Sequence, residues 1–184
     1  DRTIGRELVA ALAEQGLAVT VASRFRARWF SARPRLWLEA IAVRKSALEA
    51  AAKAKARAFV TYHAYYKSPD VIGPYVAREL GIPYVIFQGV YSTKQRRSLK
   101  TRLGFELNRR SLLAADLVFS NRRLDVANLR RLLPEERIAY VRPGIAPEAF
   151  AFDPESRRQL RQAWGVGTRP VAVTAAMFRS DVKT

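Results

Sequence analysis

Short apolar runs alternate with helical segments along this chain, and that alternation restricts the fold more than any other feature. Each run is rich in β-branched or aromatic residues, which favour strands. The five runs are residues 17–23, 58–63, 83–88, 115–120 and 137–141. Because parallel strands are joined by long crossovers, usually helices, the spacing predicts an α/β fold: a Rossmann-like, doubly wound parallel sheet with helices on both faces.

The segments between these runs carry helix signals. Residues 2–15 place Ile4, Leu8 and Leu12 at helical spacing, and Gly16 follows where a C-terminal cap belongs. Further helices are expected at residues 35–57, 71–80, 121–133 and 154–164, and around the leucines of residues 99–107. This alternation is the pattern that a layered α/β domain requires.

The two ends of the chain do not match one complete doubly wound domain. Such a domain opens with a strand, whereas this chain opens with a helix, so a first strand and its glycine-rich turn are expected upstream of Asp1. Residues 142–154 have the composition of a linker, and residues 170–178 predict the first strand of a new domain. We therefore expect a Rossmann-like domain over residues 1–150 and the beginning of an incomplete second one over residues 151–184.

Composition excludes several classes of protein. The absence of cysteine rules out disulfide frameworks and thiolate metal sites, and no apolar run reaches the roughly 18 residues of a membrane-spanning helix. The chain carries 33 Lys and Arg against 16 Asp and Glu, a net charge of +17, which attracts polyanions. These cations are scattered, so the charge permits a polyanion partner without identifying one. We expect a cytoplasmic protein, or one bound peripherally at the inner face of a membrane.

One basic stretch, residues 94–110, combines clustered cations with Leu99, Leu103 and Leu107 on one helix face. Two interpretations are open. If the leucine face is exposed, a membrane-surface or polyanion role follows, and if it packs on the sheet, the segment is an ordinary surface helix. Packing on the sheet is the expected outcome, because amphipathic helices of globular domains turn the apolar stripe toward the core.

Several segments follow one another in an order typical of one enzyme family. They are ADLVFSNRRLDVANL from residue 115, PGIAPEAF from 143, RRQLRQAWGV from 157 and AMFRSDVK from 176, preceded by residues 1–24 and 61–91. The set resembles the family-4 glycosyltransferases and covers almost the whole chain. The resemblance implies a GT-B protein whose acceptor-side domain is residues 1–150, which retains anomeric configuration, uses a nucleotide-diphosphate sugar and needs no metal.

The resemblance assigns the donor diphosphate to Arg179 and Lys183, since two fixed cations would neutralise the leaving group. A solvated basic turn is the alternative. The chain departs from the family pattern here, because Met177 stands where many members have the diphosphate arginine and Thr184 replaces a glycine. The linker aspartate is also missing at residues 146–147.

Acceptor-side residues are expected where predicted strands end, because open α/β sheets bind ligands there. The resemblance implies a catalytic role for His63 and acceptor contacts for Tyr65, Tyr66, Lys67 and Gln88. Aromatic rings suit sugar faces and a lysine suits a phosphate. The alternatives are a hydrogen-bonded histidine at a strand end and tyrosines that only pack.

The resemblance thus predicts transfer of a sugar from a nucleotide-diphosphate donor to a glycan, lipid-linked or small-molecule acceptor. The isolated chain is expected to be inactive, because the family's paired glutamates lie deeper in the second domain. The alternative is a non-catalytic, basic Rossmann-like module that binds nucleic acid or an anionic membrane surface. Nucleic acid is not expected as the partner, since charge alone does not predict a linker followed by a second domain.

Overall fold

A computed structural model describes residues 2–25, 27–29, 33–144 and 147–174. The chain divides into two compact units, Asp1–Pro143 and Gly144–Thr184. The first unit contains the sheet, and the described residues of the second include a 3-10 turn, Pro147–Phe150, and one α-helix.

A four-stranded, all-parallel sheet forms the centre of the first unit, in the order β1-β2-β3-β4. The strands are β1 Phe59–Ala64, β2 Tyr84–Gly89, β3 Leu117–Ser120 and β4 Ile138–Tyr140. Their register aligns Thr61, Ile86, Val118 and Ile138 in one row across the sheet. The parallel sheet and four of the five strands predicted within the first unit are therefore confirmed.

The first predicted strand, over residues 17–23, is wrong: these residues form neither strand nor helix. Leu17 and Val21 are both more than half exposed. A β-branched run becomes a strand only where it pairs with a neighbour and packs on a half-buried surface. The run has the composition of a strand, but no described strand pairs with it.

Helices flank the sheet, and they fall in the predicted places. They are α1 Arg2–Glu14, α2 Pro34–Lys53, α3 Gly73–Leu80, α4 Leu99–Ala114 and α5 Arg123–Leu129. A proline opens α2, and Gly81 ends α3 with a φ of 62°, the left-handed backbone that a glycine C-cap supplies. The fold is thus Rossmann-like α/β. Among the described residues, no helix is long and apolar enough to cross a membrane.

Two buried clusters hold the layers together. One lies between the sheet and its helices and contains Tyr84, Ile86, Leu112 and Val118. The other joins α2 to α3 and is built largely of alanines; its members are Ala27, Ala40, Ala47, Ala51, Val71, Ile72 and Val76. Small side chains let the two helices approach closely, so the alanine-rich sequence of α2 serves helix packing.

A carboxylate network fastens α3 to the first two strands. Asp70 accepts hydrogen bonds from the backbone N–H of Ile72 and Gly73, at 2.8 and 3.0 Å, at the start of α3. Its other oxygen accepts the hydroxyl of Tyr84 at 2.7 Å and that of Thr61. One carboxylate therefore joins the start of α3 to the middle of β1 and to the first residue of β2.

The leucine face of α4 does not pack as expected. Leu99 is 89% exposed and Leu103 47% exposed, whereas Leu107 packs against the alanine-rich cluster. The buried residues of the helix are Gly104, Phe105, Asn108, Ser111 and Leu112. This stripe also has helical spacing, and Phe105 and Leu112 direct it to the core. The predicted packing of the first two turns is therefore wrong.

The second unit contains α6, Pro154–Ala163, which confirms the predicted helix. Asp153 caps it by accepting the N–H of Glu155 at 2.9 Å, and Gly165 follows with a φ of 61°. Residues 170–174 form no strand. The remainder of the predicted strand, to residue 178, lies outside the described residues.

Candidate functional site

Two polar residues occupy equivalent positions where β1 and β2 end. His63 and Gln88 are the next-to-last residues of their strands. The ladder pairs Tyr62 with Phe87 and Ala64 with Gly89, so His63 and Gln88 stand side by side between these pairs. The carboxyl ends of parallel strands are where open α/β sheets bind ligands.

Both residues have a left-handed backbone. The φ angle is 64° at His63 and 65° at Gln88. A residue other than glycine costs about 1–3 kcal/mol in such a conformation, and this kind of strain clusters at binding and catalytic sites. Two residues with strained backbones on adjacent strands therefore mark this edge as a candidate ligand site.

The loop after β1 brings the predicted tyrosines to His63. The imidazole stacks on Tyr65, with ring centroids 4.8 Å apart and planes at 23°, and Tyr65 meets Tyr66 edge to face at 5.8 Å. A tight turn holds them, because the N–H of Tyr65 donates to the carbonyl of Ser68 at 3.2 Å and the N–H of Ser68 donates back at 2.8 Å. Tyr66 also packs against the sheet core, which supports the packing alternative for that ring.

Lys67 completes the turn and lies over two aromatic rings. Its Nζ is 5.6 Å from the centroid of Tyr66 and 5.2 Å from that of Trp29. The N–H of Trp29 donates to the carbonyl of Lys67 at 2.6 Å, and Lys100 lies 5.6 Å from the same indole. The sequence did not predict Trp29, because nothing in its local pattern connects it to residues 67 and 100.

Asp125 is a second residue that the sequence did not single out. It lies in the first turn of α5, after β3, and is only 6% exposed. Arg122 is its ion-pair partner, with Nε 3.8 Å from the carboxylate. An acidic residue in the first turn of the helix after a strand was the available signal, because that position lies at the carboxyl edge of the sheet.

The surroundings of His63 favour its neutral form. Burial lowers the pKa of His63 below its ordinary value, and the negative charge of Asp125 partly opposes this shift. The neutral imidazole has one nitrogen that accepts a hydrogen bond or a proton. The side chain can therefore bind a hydroxyl group at neutral pH.

We refer to His63, Tyr65, Lys67, Gln88 and Asp125 as the carboxyl-edge site. Of the residues predicted from sequence, His63, Tyr65, Tyr66 and Lys67 share contacts or a turn, and Gln88 lies beside His63 on the neighbouring strand. Arg179 and Lys183 lie outside the described residues. Within the described part of the chain, no cluster of three His, Asp or Glu side chains could hold a metal ion.

Fold and site together define an open parallel α/β domain with a polar and aromatic cluster at the carboxyl edge of its sheet. No protein-family model matches the chain, and no curated protein matches it significantly.

Proposed function

We propose that the chain is the acceptor-side domain of a retaining, nucleotide-sugar-dependent glycosyltransferase of the GT-B type. The observation that carries the proposal is the pair of left-handed residues, His63 and Gln88, at the ends of adjacent parallel strands. The sequence resemblance to family-4 glycosyltransferases supports the reaction class.

The carboxyl-edge site has the chemistry that a sugar acceptor needs. Tyr65 supplies an aromatic ring, and the neutral imidazole of His63 accepts a hydrogen bond from an acceptor hydroxyl. Gln88 offers an amide that both donates and accepts, which suits vicinal hydroxyl groups. Lys67 adds a cation for an anionic or phosphorylated acceptor.

The donor belongs to a different part of the chain on this proposal. Arg179 and Lys183 bind the diphosphate of the nucleotide sugar and neutralise the charge that develops as its bond to the sugar breaks. No metal is needed for that role when two cations are fixed in place. The acceptor hydroxyl, held by His63, forms the new glycosidic bond as the bond between sugar and diphosphate breaks, and its proton passes to the neutral imidazole of His63.

Acceptor binding tests the proposal on the chain itself. We expect at least one glycan from an array to bind. Tyr65→Ala should lower the affinity for the best ligand about ten-fold, which corresponds to a loss of roughly 1.4 kcal/mol of binding free energy. Tyr75→Ala, on α3, is the matched control and should bind as the unaltered chain does. Absence of binding to every glycan, or equal loss in both variants, would argue against an acceptor site at this edge.

Transfer tests the reaction class in a protein that joins this chain to a complete donor domain. Nucleoside diphosphate should be released from one nucleotide sugar, with a product of retained configuration by NMR. His63→Ala should lower kcat/KM by about 10²-fold or more, the range for a group that positions or deprotonates a nucleophile. Failure to release nucleoside diphosphate from any donor contradicts the proposal.

A second candidate function rests on the exposed turns of α4. Leu99 and Leu103 reach solvent next to Lys100 and Arg102, and apolar side chains with adjacent cations favour an anionic membrane surface. Sedimentation with phosphatidylglycerol vesicles tests this role. Leu99→Gln with Leu103→Gln should abolish binding, whereas Leu38→Gln with Ile41→Gln, two exposed apolar residues of α2, should not. Equal loss in both variants would contradict it.

A further inference from the structure

A strongly basic pocket lies between α4 and the short 3-10 turn Thr93–Arg97 that precedes it. It is partly open to solvent and has a volume of about 580 Å³. The lining residues are Arg96, Arg97, Arg102, Phe105, Glu106 and Arg110. We refer to it as the arginine pocket, and it is separate from the carboxyl-edge site.

The pocket rests on a fixed base. Phe105 is buried, and its ring lies 5.6 Å from that of Tyr91, also buried. The hydroxyl of Thr101 donates to the carbonyl of Gln95 at 2.6 Å, which ties the 3-10 turn to the first turn of α4. Asn108 donates to the carbonyl of Val90 at 2.9 Å and fixes the chain just after β2. The arginine backbones are therefore held together by contacts that do not involve their own side chains.

The positive charge of the pocket is not balanced by the protein. Glu106 is its one lining carboxylate, and it already binds Arg109 at 2.9 Å and Arg110 at 3.2 Å. Within the described residues, no carboxylate forms an ion pair with the other three lining arginines, Arg96, Arg97 and Arg102. Like charges gathered in one pocket repel each other, so an anion in the pocket would remove an unfavourable interaction.

The shape of the arginine side chain also favours a particular kind of anion. A guanidinium presents parallel N–H groups that match two oxygens of a phosphate, and several such groups can surround a tetrahedral or diphosphate anion. We propose that the arginine pocket binds a phosphorylated ligand through its phosphate or diphosphate group. This site goes beyond the proposed sugar transfer and does not depend on it.

Calorimetric titration of the whole chain with inorganic pyrophosphate tests the proposal. Saturable binding is expected, and Arg97→Gln with Arg102→Gln should weaken it about ten-fold or more, since hydrogen bonds to charged groups are the strong ones. The matched control is Arg57→Gln with Arg131→Gln, which removes two exposed arginines outside the pocket and the same net charge. All four side chains are exposed, so no unfolding is expected.

Arg97→Lys with Arg102→Lys keeps the charge and removes the guanidinium forks. Its affinity should fall between those of the unaltered chain and the glutamine variant. No saturable pyrophosphate binding, or equal weakening by the pocket variant and its matched control, overturns the proposal.

Vesicles distinguish the two sources of such a phosphate. If phosphatidic acid vesicles bind and pyrophosphate displaces them, the ligand is a lipid headgroup. If pyrophosphate binds and displaces no vesicles, the ligand is a soluble phosphorylated molecule. Leu99→Gln with Leu103→Gln should leave pyrophosphate binding unchanged in both cases, which separates the pocket from the exposed leucines. A loss of pyrophosphate binding in that variant as large as in the glutamine pocket variant also overturns the proposal.

Discussion

The carboxyl-edge site and the arginine pocket are built by opposite means within one domain. At the edge, His63 and Gln88 are strained, partly buried residues that come together only because β1 and β2 are paired. In the pocket, Arg96, Arg97 and Arg102 are exposed cations within seven residues of each other. The first site therefore depends on tertiary structure and backbone strain, and the second on local sequence and charge.

The largest expected effect is a loss of stability from overpacking beside the carboxyl-edge site. A Cβ at Gly89 would lie 2.4 Å from Cγ1 of Val118 and 3.1 Å from Cδ2 of Leu112. Gly89→Ala should therefore lower the free energy of unfolding by about 1–3 kcal/mol in urea denaturation, as overpacking does. It should also weaken glycan binding by displacing Gln88. Gly144→Ala, where a Cβ meets no atom within 4 Å, is the control, and equal loss in both variants would contradict the packing argument.

Relief of strain should produce a gain in stability. Glycine adopts a left-handed backbone without penalty, so Gln88→Gly should raise the free energy of unfolding by about 0.5–1 kcal/mol while it weakens glycan binding. Gln95→Gly is the control, because Gln95 is not in a left-handed conformation. That change should destabilise the chain. A Gln88→Gly variant as destabilised as the control would show that the φ of 65° stores no strain.

Lowering the pH should affect the contribution of the carboxyl-edge site to stability and not that of the arginine pocket, because only the first contains a histidine. Burial lowers the pKa of His63, so the fold favours the neutral imidazole. This contribution to stability is present above the ordinary histidine pKa of about 6.5 and is lost as the pH falls through the lower folded value. Between pH 7.5 and 5, the free energy of unfolding should fall less steeply in His63→Gln than in the unaltered chain. The variant Arg97→Gln with Arg102→Gln should keep the original slope.

The smallest expected effect concerns repulsion in the arginine pocket. Without a phosphate ligand, Arg97→Gln with Arg102→Gln should raise the free energy of unfolding by about 0.2–0.5 kcal/mol at low salt, the size of an exposed like-charge interaction. Screening should remove the gain in 1 M salt, where the Debye length is about 3 Å. Thermal unfolding at the two salt concentrations measures it. A gain that persists in 1 M salt would point to a cause other than charge.

The sequence predicted the positions of helices and strands better than it predicted which of them pack against each other. Four strands and their helices follow from short apolar runs and from stops such as Pro34 and Gly81, since these signals are local. The 17–23 run failed because a strand needs a partner as well as propensity. The exposed face of α4 was also missed, because two overlapping stripes have helical spacing and only the packed structure selects the one with Phe105.

The candidate sites divide in the same way. His63, Tyr65 and Gln88 could be proposed from strand ends and family resemblance. The left-handed backbones of His63 and Gln88 could not, since neither residue is a glycine. Asp125 belongs to the carboxyl-edge site because it lies in the first turn of the helix that follows β3, and the sequence alone does not indicate this proximity. Arg96 and its neighbours were visible as a basic stretch. Their arrangement around one open pocket depends on the 3-10 turn folding against α4.

The indole of Trp29, which has the ammonium groups of both Lys67 and Lys100 over its ring, has an optical consequence. The chain has three tryptophans, and with Trp37 and Trp164 replaced by phenylalanine Trp29 would be the sole tryptophan emitter. A cation near an indole shifts its emission. Lys67 belongs to the loop after β1, and Lys100 to the first turn of α4 beside the arginine pocket. One fluorophore would therefore report, by a change in emission wavelength, when either neighbouring surface takes up a ligand.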